Sequence, residues 1–250
     1  MSALITKPTI VYPESDGQPM AEDTLQFRWI VTIKEGIDAL FRNDPNVFVA
    51  GDLFWYPVEG KPGIRVAPDT LVVIGRPRGD RRSYLQWEEE GIPPQVVFEV
   101  RSPSNSMREM IEKFRFYDQH GVEEYYVYDP DRHELDGWRR NAGSLQPIDP
   151  MNGWVSPRLG IRFEWIENTL RLIRPDGRAL ESYEEVDLRA EAERQRSRGR
   201  APARRGRAPA RRGGGGPSRG DDCSPASAGD RAGARRPRLN EGVSPGRSAT

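Results

Sequence analysis

Two short apolar runs, "TLVVIG" at residues 70–75 and "QVVFEV" at 95–100, constrain the fold more than any other feature of this chain. Both are rich in β-branched residues, bounded by Pro or Gly, and too short for a buried helix, so each reads as a core strand. Each also carries one carboxylate in an apolar setting. Asp69 stands at the mouth of the first run, and Glu99 sits inside the second. An ionised acid in such surroundings costs several kcal/mol unless it is paired or bound to a cation.

The neighbouring segments supply the rest of an α/β fold. "TLQFRWIVTIKEGIDALF" places Leu25, Trp29, Ile33, Ile37 and Leu40 three and four apart, the stripe of an amphipathic helix closed by "NDPN". "VFVAGDLFWYP" reads as one strand, with "GKPG" as a turn before "RVAPDTLVVIG". A charged, proline-bounded insertion follows, "RPRGDRRSYLQWEEEGIPP". "SNSMREMIEKFRFYDQHG" has a Ser or Asn cap, an apolar stripe of Met107, Met110, Ile111, Phe114 and Tyr117, and a stop at Gly121. "VEEYYVYDP" is the next strand, "HELDGWRRNAGSLQPID" a hairpin, and "GWVSPRLGIRFEWIENTLRLIRPDG" two further short strands.

Charge divides the chain. Its 38 basic and 38 acidic residues balance, but residues 196–250 hold 14 Arg, no Lys and 4 acids, leaving residues 1–195 at −10. That terminal segment is almost only Arg, Gly, Pro, Ala and Ser, a composition unable to bury a core. The expected organisation is an extended arm over 1–22, one folded domain over 23–188, and a short helical start then a disordered tail over 189–250. "RGRAPAR" occurs twice in succession, at 198–204 and 205–211, just after "AEAERQR" at 190–196. With codons CGA GGC CGA GCG CCA GCG CGC, reading one base later turns the repeat into E-A-E-R-Q-R-A. The tail is therefore expected to be a frameshifted continuation of a heptad-repeat helix, against the alternative of an Arg/Gly-rich nucleic-acid-binding segment.

Several chemistries are excluded. One cysteine, Cys223, permits no intrachain disulfide, and with only His120 and His133 besides it a Cys/His zinc site is out of reach. Apolar runs fall short of the roughly 18 residues that span a bilayer. A cytoplasmic protein without membrane contact or small-molecule cofactor is the expectation. Two acids at the ends of adjacent strands would converge on one divalent cation, with Mg2+ or Mn2+ suiting oxygen ligands. The alternatives are an Arg partner for each acid, or exposure on an alternating strand.

The ordered string "PDTLVV", "FEVRSPS", "EKFRFY" and "GVEEYYVYDP" resembles the Uma family of restriction endonucleases within the PD-(D/E)XK nuclease superfamily, over about residues 13–177. The resemblance implies a restriction-endonuclease-like mixed central sheet flanked by helices, with a β-rich C-terminal extension. It implies a Mg2+-dependent endonuclease hydrolysing DNA phosphodiester bonds, working as a homodimer because one site cuts one strand. Asp69 and Glu99 would bind the metal, joined by the backbone carbonyl of Val100. Arg101 occupies the family's lysine position and Lys113, on the following helix, is the other candidate for that role. Asp52 would offer a third acid, and Glu35 a weaker helical one. Because Arg101 cannot readily accept a proton, the alternative is a catalytically degraded DNA-binding or accessory protein.

Further residues carry two readings each. Tyr117, Tyr125, Tyr126 and Tyr128 would stack on bases or pack the core. "RPRGDRR", "RSPSNSMR" and "GWRR" would frame a DNA path or form solvated loops. His120, beside the helix stop, has no expected catalytic role.

Overall fold

Thr70–Ile74 and Val96–Val100 are neighbouring core strands, hydrogen-bonded antiparallel with Thr70 opposite Phe98 and Leu71 opposite Val97. The structure is a computed structural model that describes residues 10–15, 17, 20–167 and 169–199. In chain order its elements are α1 (Thr24–Leu40), β1 (Val47–Ala50), β2 (Trp55–Tyr56), β3 (Thr70–Ile74) and β4 (Tyr84–Leu85). They continue with β5 (Val96–Val100), α2 (Met107–Gln119), β6 (Glu124–Asp129), β7 (Glu134–Asn141) and β8 (Ser144–Pro147). The pair β9 (Arg162–Ile166) and β10 (Thr169–Ile173) leads into α3 (Tyr183–Gly199).

Six strands form one sheet in the order β1-β3-β5-β6-β7-β8. All its pairs are antiparallel except β5–β6, and that parallel pair is joined by the α2 crossover. The sheet is therefore mixed, as expected. Alternation along β5 divides the interior into two cores. Val96, Phe98 and Val100 pack with Ile30, Ile33 and Ile37 of α1 and with Phe163, Leu170 and Leu172 of the β9–β10 hairpin. Val97 packs on the other face with Trp55, Tyr84, Tyr117 and Tyr125, beneath α2.

Each long helix starts on a side-chain cap. Asp23 accepts from Gln26 N at 2.7 Å to open α1, and Ser106 accepts from Glu109 N at 3.2 Å to open α2. The α1 stripe differs in detail from expectation. Ile30 is a fully buried position, whereas Leu25 and Trp29 are only partly buried.

"VFVAGDLFWYP" is not one strand. The chain breaks at Gly51 and Asp52, and Asp52 takes φ +48, so β1 ends the large sheet while β2 pairs in parallel with β4. A Cβ at Gly51 would stand 3.2 Å from the Asp69 carbonyl, which explains a glycine where the turn passes β3. The charged insertion is likewise structured, supplying β4 and a 3-10 turn at Gln86–Glu88. The described part of the arm is anchored, with Tyr12 edge-on to Tyr56 and the Tyr56 hydroxyl donating to Pro13 O at 2.5 Å. α3 begins at Tyr183 and spans both residue 188 and the segment from 189 for which a short helical start is expected. The repeats from residue 200 onward lie outside the described residues, and so does Cys223.

Candidate active site

The antiparallel register of β3 and β5, extended one step past Thr70–Phe98, sets Asp69 opposite Glu99 on the α2 side of the sheet. Both expected acids thus meet. Asp69 is half-buried at the floor of a cleft of about 500 Å3, and its Oδ2 accepts from the Val100 amide at 2.6 Å. Burial pushes its carboxyl well above the ordinary range, and the Glu99 charge pushes further; Lys113 and the Val100 N–H act in the opposite sense. The ionised form of Asp69 is thus disfavoured in this structure.

α2 brings two groups onto Glu99, which is only 2 % exposed. The Lys113 ammonium donates to Oε2 at 2.9 Å, and the Tyr117 hydroxyl, one turn on, donates to Oε1. Burial alone would lower the lysine's pKa, but the Glu99 and Asp69 charges more than offset it and hold it raised. Burial and Glu99 also hold the Tyr117 phenol well above its usual range. Lys113 also lies 3.8 Å from Glu109.

A second layer comes from α1 and was missed in the sequence. The buried Gln26 amide donates to the Val100 carbonyl at 2.8 Å, and its own oxygen accepts from Glu22 N at 2.9 Å. Ser102 Oγ donates to the Glu22 carboxylate at 2.5 Å. Glu22 and Gln26 both line the cleft, whereas Glu35, the weaker helical candidate, is a surface acid paired with Lys34. The burial of Gln26 shows only once α1 is packed on the sheet, so the sequence carried no signal for it. Arg65 lines the same cleft, its guanidinium 5.0 Å over the Phe54 ring.

The remaining candidates divide. Asp52 also lines the cleft and adds to the charge that raises Asp69. Arg101 does not line it. Its Nη1 lies 3.3 Å from Asp129 on the neighbouring strand, and the side chain borders a different cavity. The four tyrosine rings are buried, with at most 2 % of each exposed, so they pack the cores rather than offering faces to bases. His120 caps α2 with its ring 4.5 Å from Phe116. The arginines of the basic segments are mostly tied to acids: Arg76 and Arg81 to Glu89, Arg78 to Asp38, Arg108 to Glu112, and Arg140 to Asp118.

The donor set is one of hard oxygens suited to a small divalent cation. Among the described residues no three His, Cys, Asp or Glu side chains form a group placed to hold a metal. The chain sets Asp69 and Glu99 on neighbouring strands, and a bound cation would offset the cost of ionising the buried Asp69 carboxyl. None of the helices among the described residues is long and apolar enough to cross a membrane.

No curated protein matches the chain. Among solved structures, it is similar to a putative nuclease of the DUF820 family from Anabaena variabilis, at 15 % identity and a TM-score of 0.40, covering 58 % of this chain and 79 % of that one. The Uma2 family profile, described as "putative restriction endonuclease", matches residues 28–172, a span that holds Asp69, Glu99 and Lys113 but begins just after Gln26. With more than half of its length matched, the chain belongs to the Uma2 family, whose members are described as putative restriction endonucleases.

Proposed function

We propose that this protein is a divalent-metal-dependent endonuclease that hydrolyses phosphodiester bonds of DNA in the Asp69–Glu99 cleft. The observation that carries the reading is the meeting of these two acids with the Lys113 amine, 2.9 Å from Glu99. Asp69, Glu99 and the Val100 carbonyl would hold Mg2+ or Mn2+, with water completing the shell. When bound, such a cation lowers the pKa of water and neutralises charge on a phosphate. The Val100 N–H fixes one Asp69 oxygen and the Tyr117 hydroxyl fixes one Glu99 oxygen. Gln26 fixes the Val100 carbonyl. Lys113, 2.9 Å from Glu99, would serve the reacting phosphate as a positive hydrogen-bond donor. Arg65 is the other cation of the cleft, positioned by Phe54 and by a 2.9 Å bond to Pro62 O, and would take a neighbouring phosphate. A cut through both strands needs two such sites, so the working assembly is a homodimer, and the expected setting is the cytoplasm.

One observation favours a second reading. Arg101, in the family's lysine position, is engaged with Asp129, which suits a DNA-binding or accessory protein with a degraded site. Supercoiled plasmid separates the two. The metal nuclease nicks it with Mn2+ or Mg2+, and Asp69→Ala and Glu99→Ala each abolish nicking in folded protein. An absence of both nicking and calorimetric metal binding would leave the accessory reading.

A further inference from the structure

The chain leaves β2 at Tyr56 and returns beside it at Val66, where Trp55 and Val66 exchange backbone hydrogen bonds of 2.8 and 3.2 Å. The loop between them carries Arg65 onto the wall of the cleft that holds Asp69. Its tip turns at Gly60, which takes φ +80, and Ile64 N–H donates to Lys61 O at 2.9 Å within it. The Gly60 N–H donates to the Tyr12 hydroxyl at 2.6 Å, across 48 residues of sequence.

Tyr12 belongs to the arm that precedes α1, and the arm is seated on β2 and on the 3-10 turn after β4. The Tyr12 ring meets Tyr56 edge-on at 5.2 Å and Trp87 at 5.0 Å, and the Tyr56 hydroxyl donates to Pro13 O. Glu14 pairs with Arg82 at 2.9 Å, but both side chains are exposed and such a pair adds little. The aromatic contacts therefore fix the arm.

Two routes run from Tyr12 to Arg65. The first is backbone: Gly60 bonds to Tyr12, and two residues on the Pro62 carbonyl accepts from Arg65 Nη1 at 2.9 Å. The second is a row of rings. Tyr12 packs on Tyr56, Tyr56 meets Phe54 edge-on at 6.0 Å, and Phe54 lies under the Arg65 guanidinium at 5.0 Å. Both routes end on the same guanidinium.

We propose that Tyr12 is a positioning residue: the arm fixes the 57–66 loop so that Arg65 is already placed to hold a backbone phosphate of the substrate strand. The proposal rests on the nucleic-acid reading above and adds to it a segment outside the family match, which begins at residue 28. A guanidinium placed in advance loses less freedom on binding, so the arm contributes to affinity without touching the strand.

The test uses the full chain in chelator with a fluorescently labelled DNA duplex of about twenty base pairs, and reads affinity by anisotropy at several salt concentrations. Arg65→Ala should weaken binding about two- to fivefold and lower the slope of log affinity against log salt by about one. Tyr12→Ala, which cuts both routes, should weaken binding in the parent and have no further effect in the Arg65→Ala background. Tyr12→Phe, which keeps the ring row and removes only the hydroxyl, should show a smaller loss with the same dependence on Arg65, and it serves if the Ala variant does not fold. Equal losses in both backgrounds, or Tyr12 variants that bind as the parent does, overturn the proposal, since a purely structural arm would move the thermal midpoint and leave folded protein binding normally. A parent without affinity for the duplex, or an Arg65→Ala variant with undiminished affinity, overturns it too. Nicking is not read in this experiment, so failure of the metal chemistry and failure of this proposal are told apart.

Discussion

The Lys113 ammonium and the Glu99 carboxylate, 2.9 Å apart, join α2 to the middle of the sheet through a charge pair almost closed to solvent. Removing one partner of such a pair strands the other charge. Lys113→Met should therefore cost about 3 kcal/mol of stability. In the double variant with Glu99→Gln the loss should be much smaller than the sum of the single losses. Chemical denaturation of the four proteins measures this, and additive losses would show that the pair is not coupled.

Tyr117→Phe isolates the other Glu99 contact. The ring stays in place against Trp55, parallel at 6.4 Å, so only the hydroxyl is lost. About 1–3 kcal/mol should go with it, since a buried charged acceptor loses its donor. Guanidinium titration is the measurement, and an unchanged midpoint would contradict the bond.

The acids were legible because a charge inside a β-branched run contradicts its surroundings, and only a partner or a cation resolves that. Sheet register then follows from strand order, which places Asp69 opposite Glu99. Lys113 was legible only through resemblance, since one residue on a helix flank looks like a solvent-facing lysine paired with Glu109. Gln26 and Glu22 were not legible. Their roles depend on where α1 meets β5, 74 residues away for the Gln26–Val100 bond. The break at Asp52 was hidden by the apolar residues on either side, which suit one long strand as well as two short ones. The exposed Met107 and Ile111 were hidden for the opposite reason, since a periodic stripe states which face is apolar and says nothing of what covers it.

Asp52 combines a left-handed backbone with a place on the cleft wall, and two substitutions separate these roles. Asn adopts that backbone at less cost than Ala, so Asp52→Ala should cost about 1–2 kcal/mol and Asp52→Asn much less. If Asp52 serves the metal, Asp52→Asn weakens calorimetric Mn2+ affinity without affecting the thermal midpoint. Unchanged affinity would confine Asp52 to the turn.

Glu124 provides a pH signature far from the cleft. It is 2 % exposed, accepting from the Ser156 hydroxyl, from Tyr126 OH at 3.0 Å and from the Arg158 amide at 2.9 Å, so it ties the loop before β9 to the sheet. Burial raises its pKa above the ordinary 4.5, and these hydrogen bonds reduce the rise without cancelling it. A carboxyl whose folded pKa is raised takes up a proton on folding. Its contribution is fully present below the unfolded value and is lost as pH rises through the folded one. Relative to Glu124→Gln, which does not titrate, the parent should therefore lose stability progressively as pH rises from about 4 toward neutrality. Thermal midpoints of the two proteins across that range give the difference directly. A difference that is flat, or that moves in the parent's favour with rising pH, would mean that Glu124 is held ionised by its three donors.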